Sequence, residues 1–407
     1  MGLTTSLYSA VTGLRCYGTA ISVSGDNIAN LNTAGFKGSR ITFQDALNEL
    51  ISTAQGSSQV GRGVMVSDVA LVFTQGSFET TNAPTDLAIN GRGLFIVRDP
   101  NGQKLLYTRA GHFRLNPDGR LVNPEGYVLQ GWAIGSNTLT DVVIDTAASA
   151  AKATSRVEVA VNLDARALPP QGDFDPGTEG TWNYQTSITV YDSLGAPHRL
   201  VLYFVRAQEG WDCYVGEGTQ LLNDGQPLTR LVFDTNGALT GGGTASLTVT
   251  FEGASEQTIA FNFNPSVAKS TQYAADFSTL YQYQDGYATG FLEEITIGTD
   301  GVVYGHYTNG QTRELYQIVL ANFVNPSGLI KRGGNLYEQS PYSGEPLVGL
   351  PGSAGLGSIV PNSLEQSNVD LAEEFTKIII YQRAFQANAR VVTTTDDMLG
   401  EVVNLRR

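Results

Sequence analysis

The stretch that decides the fold lies near the C-terminus: LEQSNVDLAEEFTKIIIYQRAFQANARVVTTTDDML, residues 364–399. An apolar residue recurs at every seventh position throughout this stretch. These residues are Leu364, Leu371, Ile378, Phe385, Val392 and Leu399. A sustained seven-residue repeat keeps one apolar row facing a partner helix, as in a coiled coil. The sequence therefore predicts a long amphipathic helix that pairs with a second helix.

The start of this helix has its own sequence signal. Ser363 and Gln366 are spaced as a capping box, in which each side chain binds the other residue's backbone N–H. Glu373 and Lys377 then form an i,i+4 pair in the favourable order. Residues 364–405 would make a helix about 60 Å long, at about 1.5 Å per residue. Such a helix needs another helix to cover its apolar row.

The N-terminal segment is the expected partner, because it shows the same spacing. Its apolar row, again with residues seven apart, contains Leu7, Leu14, Ile21 and Ile28. A second row, formed by Ala10, Tyr17 and Ser24 among others, is mixed in character. We therefore expect the two ends of the chain to pair. The alternative is that each helix lies separately on a globular body.

Between the ends, short alternating runs are separated by turn dipeptides. Asp118-Gly119, Asn236-Gly237, Asp300-Gly301 and Asn309-Gly310 all favour the positive φ angles of hairpin turns. An Ala/Ser/Thr-rich stretch at 145–156 and an irregular stretch at 264–290 bracket a candidate insertion. The sequence thus predicts a mainly β protein with α-helical termini, in which one β domain interrupts another.

Composition excludes several function classes. The 407 residues carry a net charge of −14, which disfavours nucleic acid and anionic membrane surfaces. Cys16 and Cys213 cannot form a disulfide framework, and no apolar run reaches the roughly 20 residues of a membrane span. The N-terminus does not resemble a cleaved Sec-type signal peptide.

No catalytic, cofactor-binding or metal-binding motif stands out. The three histidines, His112, His198 and His306, are scattered and no HExxH or paired-cysteine pattern is present. The adjacent acids Glu293-Glu294 and Asp396-Asp397 would diverge along a strand and around a helix respectively. The sequence predicts a non-enzymatic protein without cofactor or metal.

Two terminal motifs resemble the flagellar rod and hook family of axial proteins. The C-terminal match contains Ser367-Asn368-Val369-Asp370. The N-terminal match consists of Asn27, Ile28, Ala29, Asn30, Thr33, Gly35, Phe36 and Lys37. Asp26 stands where many relatives have Asn. Segments of the middle, including Tyr191–Gly195, His198 and an insertion of about 140 residues, resemble the hook subunit within that family.

The resemblance implies a domain order. Residues 1–36 and 360–407 would form the terminal coiled-coil domain, and 37–64 a connecting segment. Residues 65–145 and 290–359 would form a discontinuous inner β domain, with 146–289 as an inserted outer β domain. Phe43 and Leu47 resemble the short element that rod and hook subunits present to the export gate, although an ordinary amphipathic turn explains them equally well.

The same resemblance implies a structural function. The chain would be a homopolymer subunit of the curved, extracellular hook that joins rod to filament. Its partners would be rod, hook-cap and hook–filament junction proteins and the type III export apparatus. A large distal-rod-type subunit is the nearest alternative. A secreted β-rich adhesin or carbohydrate-active protein is the alternative from a different functional class.

Overall fold

The computed structural model describes residues 2–46, 49–53, 56–102, 104–145 and 148–404. It is rich in strands and has one long helix at each end, α1 (Gly2–Ala29) and α2 (Leu371–Asn404). The chain divides into two compact units. The first contains residues 1–145, 294–305 and 312–407, and the second contains 146–293 and 306–311. The predicted class, mainly β with paired helical termini, is confirmed.

The strands are numbered in chain order. Those before residue 145 are β1 (Ser39–Asp45), β2 (Glu49–Thr53), β3 (Gly56–Val60), β4 (Val64–Leu71), β5 (Phe78–Thr80), β6 (Leu87–Asn90), β7 (Leu94–Arg98), β8 (Leu105–Thr108), β9 (Arg114–Leu115), β10 (Leu121–Val122), β11 (Val128–Ala133) and β12 (Leu139–Asp141). Next come β13 (Arg156–Asn162), β14 (Tyr184–Tyr191), β15 (Pro197–Arg206), β16 (Trp211–Glu217), β17 (Gln220–Leu221), β18 (Thr229–Phe233), β19 (Leu239–Gly241), β20 (Thr244–Val249), β21 (Gln257–Asn262) and β22 (Ser278–Gln284). The last are β23 (Leu292–Ile297), β24 (Val302–Tyr307), β25 (Thr312–Ile318), β26 (Leu320–Asn322), β27 (Ile330–Gly333), β28 (Leu336–Glu338), β29 (Leu347–Gly349), β30 (Ser358–Pro361) and β31 (Ser363–Glu365). Short 3-10 turns occupy Asn223–Gly225 and Pro326–Gly328.

The first unit is built around a large sheet in the order β23-β24-β25-β11-β7-β8-β28-β27, with β9, β10, β12, β26 and β29 attached to it. Its core packs aromatic and aliphatic side chains such as Leu94, Tyr107, Phe323 and Tyr337. Four smaller pairings, β1 with β4, β2 with β3, β5 with β31 and β6 with β30, also belong to this unit. The last two join the segment that precedes α2 to the early strands.

The second unit has two sheets that share one hydrophobic core. Their orders are β20-β21-β13-β22 and β14-β15-β16-β18-β19, and β17 pairs with β16. Val159, Phe204, Trp211 and Phe263 are each no more than 1% exposed within that core. Alternation of buried and exposed residues along β20 and β21 is typical of strands with one face on a core.

The turn predictions are confirmed. Asp118-Gly119 joins β9 to β10, and Asn236-Gly237 joins β18 to β19. The dipeptides at 300–301 and 309–310 join β23 to β24 and β24 to β25. Gly119 and Gly237 have φ of +75° and +77°. A residue with a Cβ is strained in that conformation, which explains the glycine at each turn.

The predicted start of the C-terminal helix is wrong. Leu364 lies in β31, where it pairs with Glu79 of β5. Ser363 caps no helix, because its hydroxyl donates to the Pro361 carbonyl oxygen at 3.2 Å. The backbone N–H of Gln366 donates to Ser77 O at 2.8 Å. These tertiary hydrogen bonds keep 363–366 extended, so sheet pairing overrides the local capping signal.

Asp370 is the residue that caps α2. Its Oδ1 accepts hydrogen bonds from the backbone N–H of Ala372 at 2.8 Å and of Glu373 at 3.1 Å. Glu373 and Glu374 occupy the first turn, where negative charge complements the helix N-terminus. The predicted Glu373–Lys377 ion pair is present at 2.9 Å. The helix thus begins seven residues later than the apolar repeat indicates.

Candidate functional site

The two terminal helices pair in antiparallel fashion. Gly13 of α1 meets Asn388 of α2 so closely that a Cβ built on Gly13 would lie 2.7 Å from the amide oxygen. Tyr17, later in α1, has its ring centroid 6.3 Å from that of Tyr381, which is earlier in α2. The ring of Phe43 on β1 lies 5.6 Å from Tyr17. The helices therefore approach closely at a glycine and are bridged by aromatic rings beside it.

The buried face of α1 consists mainly of small residues. Its members, spaced three or four apart, are Ala10, Gly13, Cys16, Ala20, Ser24 and Asn27. The predicted row of Leu7, Leu14, Ile21 and Ile28 is only half-buried beside them. Gly13 lies against the Asn388 side chain of α2, whereas Cys16 donates to Val64 O at 3.4 Å and Asn27 bonds to Ser39, so α2 and the strands β1 and β4 together cover this face. The spacing of alanine, glycine and serine was the sequence signal for it.

The most buried row of α2 is polar. Glu374, Tyr381, Asn388 and Thr395 are seven apart, and two of them contact α1. The Asn388 amide donates to Ala384 O at 2.8 Å, and the Thr395 hydroxyl donates to Val391 O at 2.6 Å. These bonds within the helix allow polar side chains to be buried.

The predicted α2 row is displaced to the side of this buried row. Ile378, Val392 and Leu399 are half-buried, whereas Leu371 and Phe385 are exposed in the single chain. The sequence predicts that the C-terminal row contacts α1, but within one chain Phe385 of that row is exposed. Its burial against a neighbouring subunit stays a prediction.

Two exposed apolar strips run along α2 on opposite sides of its buried row. We call Leu371, Phe375, Ile379 and Phe385 the first flank, and Ile380, Val391, Met398 and Val402 the second flank. Their side chains are between 39% and 57% exposed. With 3.6 residues per turn, Ile380 lies about half a turn around the helix from Leu371. A helix apolar on both flanks can bury one face on α1 and still offer two surfaces.

At the base of the helix pair, two motif asparagines fix the backbone. Asn27 donates to Ser39 O at 2.8 Å and accepts from Ser39 N at 2.8 Å. Asn368 accepts from Gly38 N at 2.9 Å and donates to Val72 O at 2.7 Å. Each amide thus pairs with main-chain groups of another segment. These contacts tie both ends of the chain to β1 and β4.

A buried ionic group lies beside these asparagines. The Lys37 ammonium is 2.6 Å from Glu365 Oε1, and the Arg109 Nε is 2.5 Å from Glu365 Oε2. All three residues are at most 5% exposed. Burial lowers the pKa of Lys37, and the neighbouring Glu365 carboxylate opposes that shift. Removing one member of such a group leaves an uncompensated buried charge.

The remaining motif residues lie next to this ionic group or at the ends of the two helices. The Phe36 ring is buried beneath the Lys331 ammonium, 4.9 Å from the ring centroid. Gly35 has a φ of +69° and its N–H donates to Glu365 O at 2.6 Å. Thr33 donates to Asn30 Oδ1 at 3.2 Å, and the Ser367 hydroxyl accepts from Val369 N at 3.3 Å. Ile28 and Ala29 end α1, and Asp370 caps α2.

Sequence reasoning did not identify Arg109 as part of this site. It lies just after β8, far in sequence from both terminal motifs, and nothing in its local pattern marks it. The structure describes only one of the two residues of the candidate export-gate element. Phe43 is on β1, 36% exposed, and Leu47 lies outside the described residues.

The described part of the chain contains no cluster of three or more His, Cys, Asp or Glu that could hold a metal ion. Within the same residues, neither terminal helix is long and apolar enough to cross a membrane. The helix pair carries two exposed apolar flanks, an arrangement that favours assembly.

Comparison with known proteins gives matches along most of the chain. Family models described as flagella basal body rod protein and flagellar hook protein FlgE/F/G D1 domain match residues 7–37 and 88–162. Models described as flagellar basal body protein FlaE D2 domain and flagellar basal body rod FlgEFG protein C-terminal match 162–287 and 360–405. The matches follow the chain in order.

Individual relatives are similar over nearly their full lengths. The flagellar hook protein FlgE of Borreliella burgdorferi is 38% identical, with 98% of this chain and 99% of that protein covered. The Escherichia coli flagellar hook protein FlgE is 35% identical, with 98% and 99% covered. The crystal structure of Helicobacter pylori flagellar hook protein FlgE2 shares the fold, with a TM-score of 0.51, 16% identity, and coverage of 71% of this chain and 100% of that one. With its paired terminal helices and β-rich middle, the chain belongs to the flagellar hook protein family.

Proposed function

We propose that this chain polymerises into the tubular flagellar hook through the two flanks of α2. The observation that carries the proposal is the presence of exposed apolar side chains on both sides of a helix that already buries one face on α1. With 34 residues, α2 is about 50 Å long; the first flank occupies its N-terminal half, and the second flank extends from Ile380 to Val402. Such strips are suited to the helices of two neighbouring copies.

The energy of burial supports this assignment. Covering a Phe, Ile, Leu, Met or Val side chain stabilises by roughly 1.5–3 kcal/mol. Contiguous exposed apolar surface on a soluble chain marks an interaction surface. This stabilisation recurs in every subunit. A polymer in which both flanks are covered is therefore favoured over a monomer in which they face water.

Further parts of the proposal rest on resemblance to the family. The paired helices would line a central channel, and the insertion would lie outermost in a curved tube that serves as a universal joint. The partners would be rod, hook-cap and hook–filament junction proteins. Export would use the type III apparatus without a cleaved signal peptide, and the polymer would lie outside the cell. Similarity to hook proteins over nearly the whole chain does not favour the distal-rod-type and adhesin alternatives.

The test places a charge on one flank. Ile380→Asp should abolish or strongly reduce tube formation by the purified chain, because an unpaired carboxylate would be buried at every subunit contact. Thr376→Asp is the matched control, since Thr376 is exposed between the two flanks and faces away from α1. Electron microscopy and sedimentation measure the tubes. Tubes of the Ile380→Asp chain at wild-type yield would refute the proposed contact.

A further inference from the structure

A cavity in the first unit lies next to the buried ionic group. Its volume is about 270 Å³, enough for an amino-acid side chain rather than a few water molecules. Phe73, Leu94 and Phe323 provide apolar walls. Lys37 and Arg109 also line it. The cavity therefore combines apolar walls on some sides with two cationic groups that are themselves almost fully buried.

The charge around the cavity is unbalanced. Lys37, Arg92 and Arg109 line it, whereas Glu365, which pairs with Lys37 and Arg109, does not. Arg92 is exposed. Three cations against one carboxylate leave an excess of positive charge. Burial lowers the pKa of Lys37, as expected for an ammonium group incompletely compensated in a poorly solvated place.

Lys37 and Arg109 also have more N–H groups than described hydrogen bonds. Lys37 has three N–H groups, and its described bonds go to Thr74 O at 2.7 Å and Glu365 Oε1 at 2.6 Å. Arg109 has five, and its described bonds go to Glu365 Oε2, Gly93 O, Ile89 O and Gly91 O. Among the described residues, one N–H of each remains for a further acceptor.

The rim adds an exposed apolar surface. Val324 lines the cavity and is 83% exposed. Tyr342, also 83% exposed, belongs to the adjoining loop, because the Asn325 amide donates to Tyr342 O at 3.1 Å. An occupant that inserts an acid would therefore also find apolar surface at the entrance.

We infer that the cavity receives an Asp or Glu side chain from a second copy of the chain, with Val324 and Tyr342 packing against the apolar neighbours of that acid. The inference rests on the proposed polymerisation. Charge complementarity supports the choice of occupant: the chain as a whole carries −14, so its own surface is a rich source of carboxylates. A cationic cavity on an acidic subunit suits another copy of that subunit.

Substitutions at the entrance leave the buried ionic group intact. Arg92→Glu reverses a charge at the cavity, and Val324→Glu supplies a carboxylate from the same chain. Both should raise the critical concentration for polymerisation at least tenfold, with unchanged thermal melting of the monomer. Arg114→Glu is the matched control, because Arg114 is exposed on β9 and does not line the cavity. Wild-type critical concentrations for both variants would overturn the inference.

A photo-crosslinking amino acid at position 324 identifies the occupant in assembled tubes. The expected product joins position 324 to a peptide of another copy, with the reacting residue next to Asp or Glu. Crosslinks confined to one chain, or to peptides without an acid, would overturn the inference. Failure of the wild-type chain to polymerise would instead overturn the proposed function, so the two failures are distinguishable.

Discussion

At the scale of single residues, the Glu365 side chain joins separate parts of the chain at the base of the helix pair. Its carboxylate contacts Lys37, Arg109 and the Gly76 N–H, the last at 2.9 Å. Lys37 belongs to the N-terminal motif and Arg109 follows β8. One acid close to the C-terminal helix thus fixes three separate parts of the sequence.

Glu365→Gln should destabilise the first unit by about 3–5 kcal/mol, because it leaves two buried cations without a counterion. Urea unfolding measures the loss. Glu345→Gln is the control, since Glu345 is exposed in the same unit, and it should change the free energy of unfolding by less than about 0.5 kcal/mol. Equal changes in the free energy of unfolding for the two variants would show that the ionic group stabilises the unit no more than an exposed acid does.

Asp285 predicts a pH dependence in the second unit. Its carboxylate accepts from Ser155 N and Arg156 N, both at 2.9 Å, and pairs with Lys152 at 2.9 Å. Burial alone would raise the pKa of Asp285, but these partners together lower it to about 2. Because the folded value is the lower one, the carboxylate stabilises the unit above the unfolded pKa of about 3.9. That contribution is lost as pH falls toward 2.

Asp285→Asn should therefore cost about 2 kcal/mol at neutral pH, and the difference from wild type should shrink as pH falls from about 5 to about 2. Urea unfolding followed by tryptophan fluorescence suits this test, because Trp182 and Trp211 both lie in that unit. A difference independent of pH over this interval would contradict the assigned role of the carboxylate.

At the scale of elements, the pairing of α1 with α2 depends on a close approach at Gly13. Gly18 lies in the same helix, but a Cβ built there meets nothing within 4 Å. Alanine favours helix over glycine by about 1 kcal/mol, so Gly18→Ala should stabilise α1. Gly13→Ala should gain the same helix propensity but displace the Asn388 amide and its hydrogen bond to Ala384 O, so it should stabilise the helix pair less than Gly18→Ala does.

Hydrogen exchange of α1 and α2 amides, measured side by side for the two variants, isolates this contact from helix propensity. The expected result is slower exchange for Gly18→Ala than for Gly13→Ala. Faster exchange in Gly18→Ala than in Gly13→Ala would place the helix contact elsewhere.

The elements also show what sequence patterns can and cannot predict. The seven-residue repeat predicts α2 and its need for a partner, and glycine after Asp or Asn predicts the hairpins. The same repeat places Leu364 in the helix, whereas β31 pairs it with β5. Pairing with a strand nearly 290 residues earlier is a tertiary effect that local spacing does not encode.

The identity of the helix face was equally hard to predict. Large apolar residues dominate a hydrophobic repeat, so Leu7, Leu14, Ile21 and Ile28 stand out in the sequence. The covered face consists of smaller residues, including Gly13 and Ala20, which contribute little to a hydrophobic repeat and so do not stand out in the sequence. Terminal motif residues were predictable from resemblance, but the partner Arg109 was not, since it reaches Glu365 only in the folded chain.

At the scale of the whole molecule, we propose that neighbouring copies in a tube cover both flanks of α2. A helical reconstruction of tubes assembled from the purified chain, at side-chain detail, tests it most directly. We predict that Phe375 and Ile379 pack on one neighbour while Ile380 and Met398 pack on another. A reconstruction in which either flank faces the lumen or the outer solvent would contradict the account.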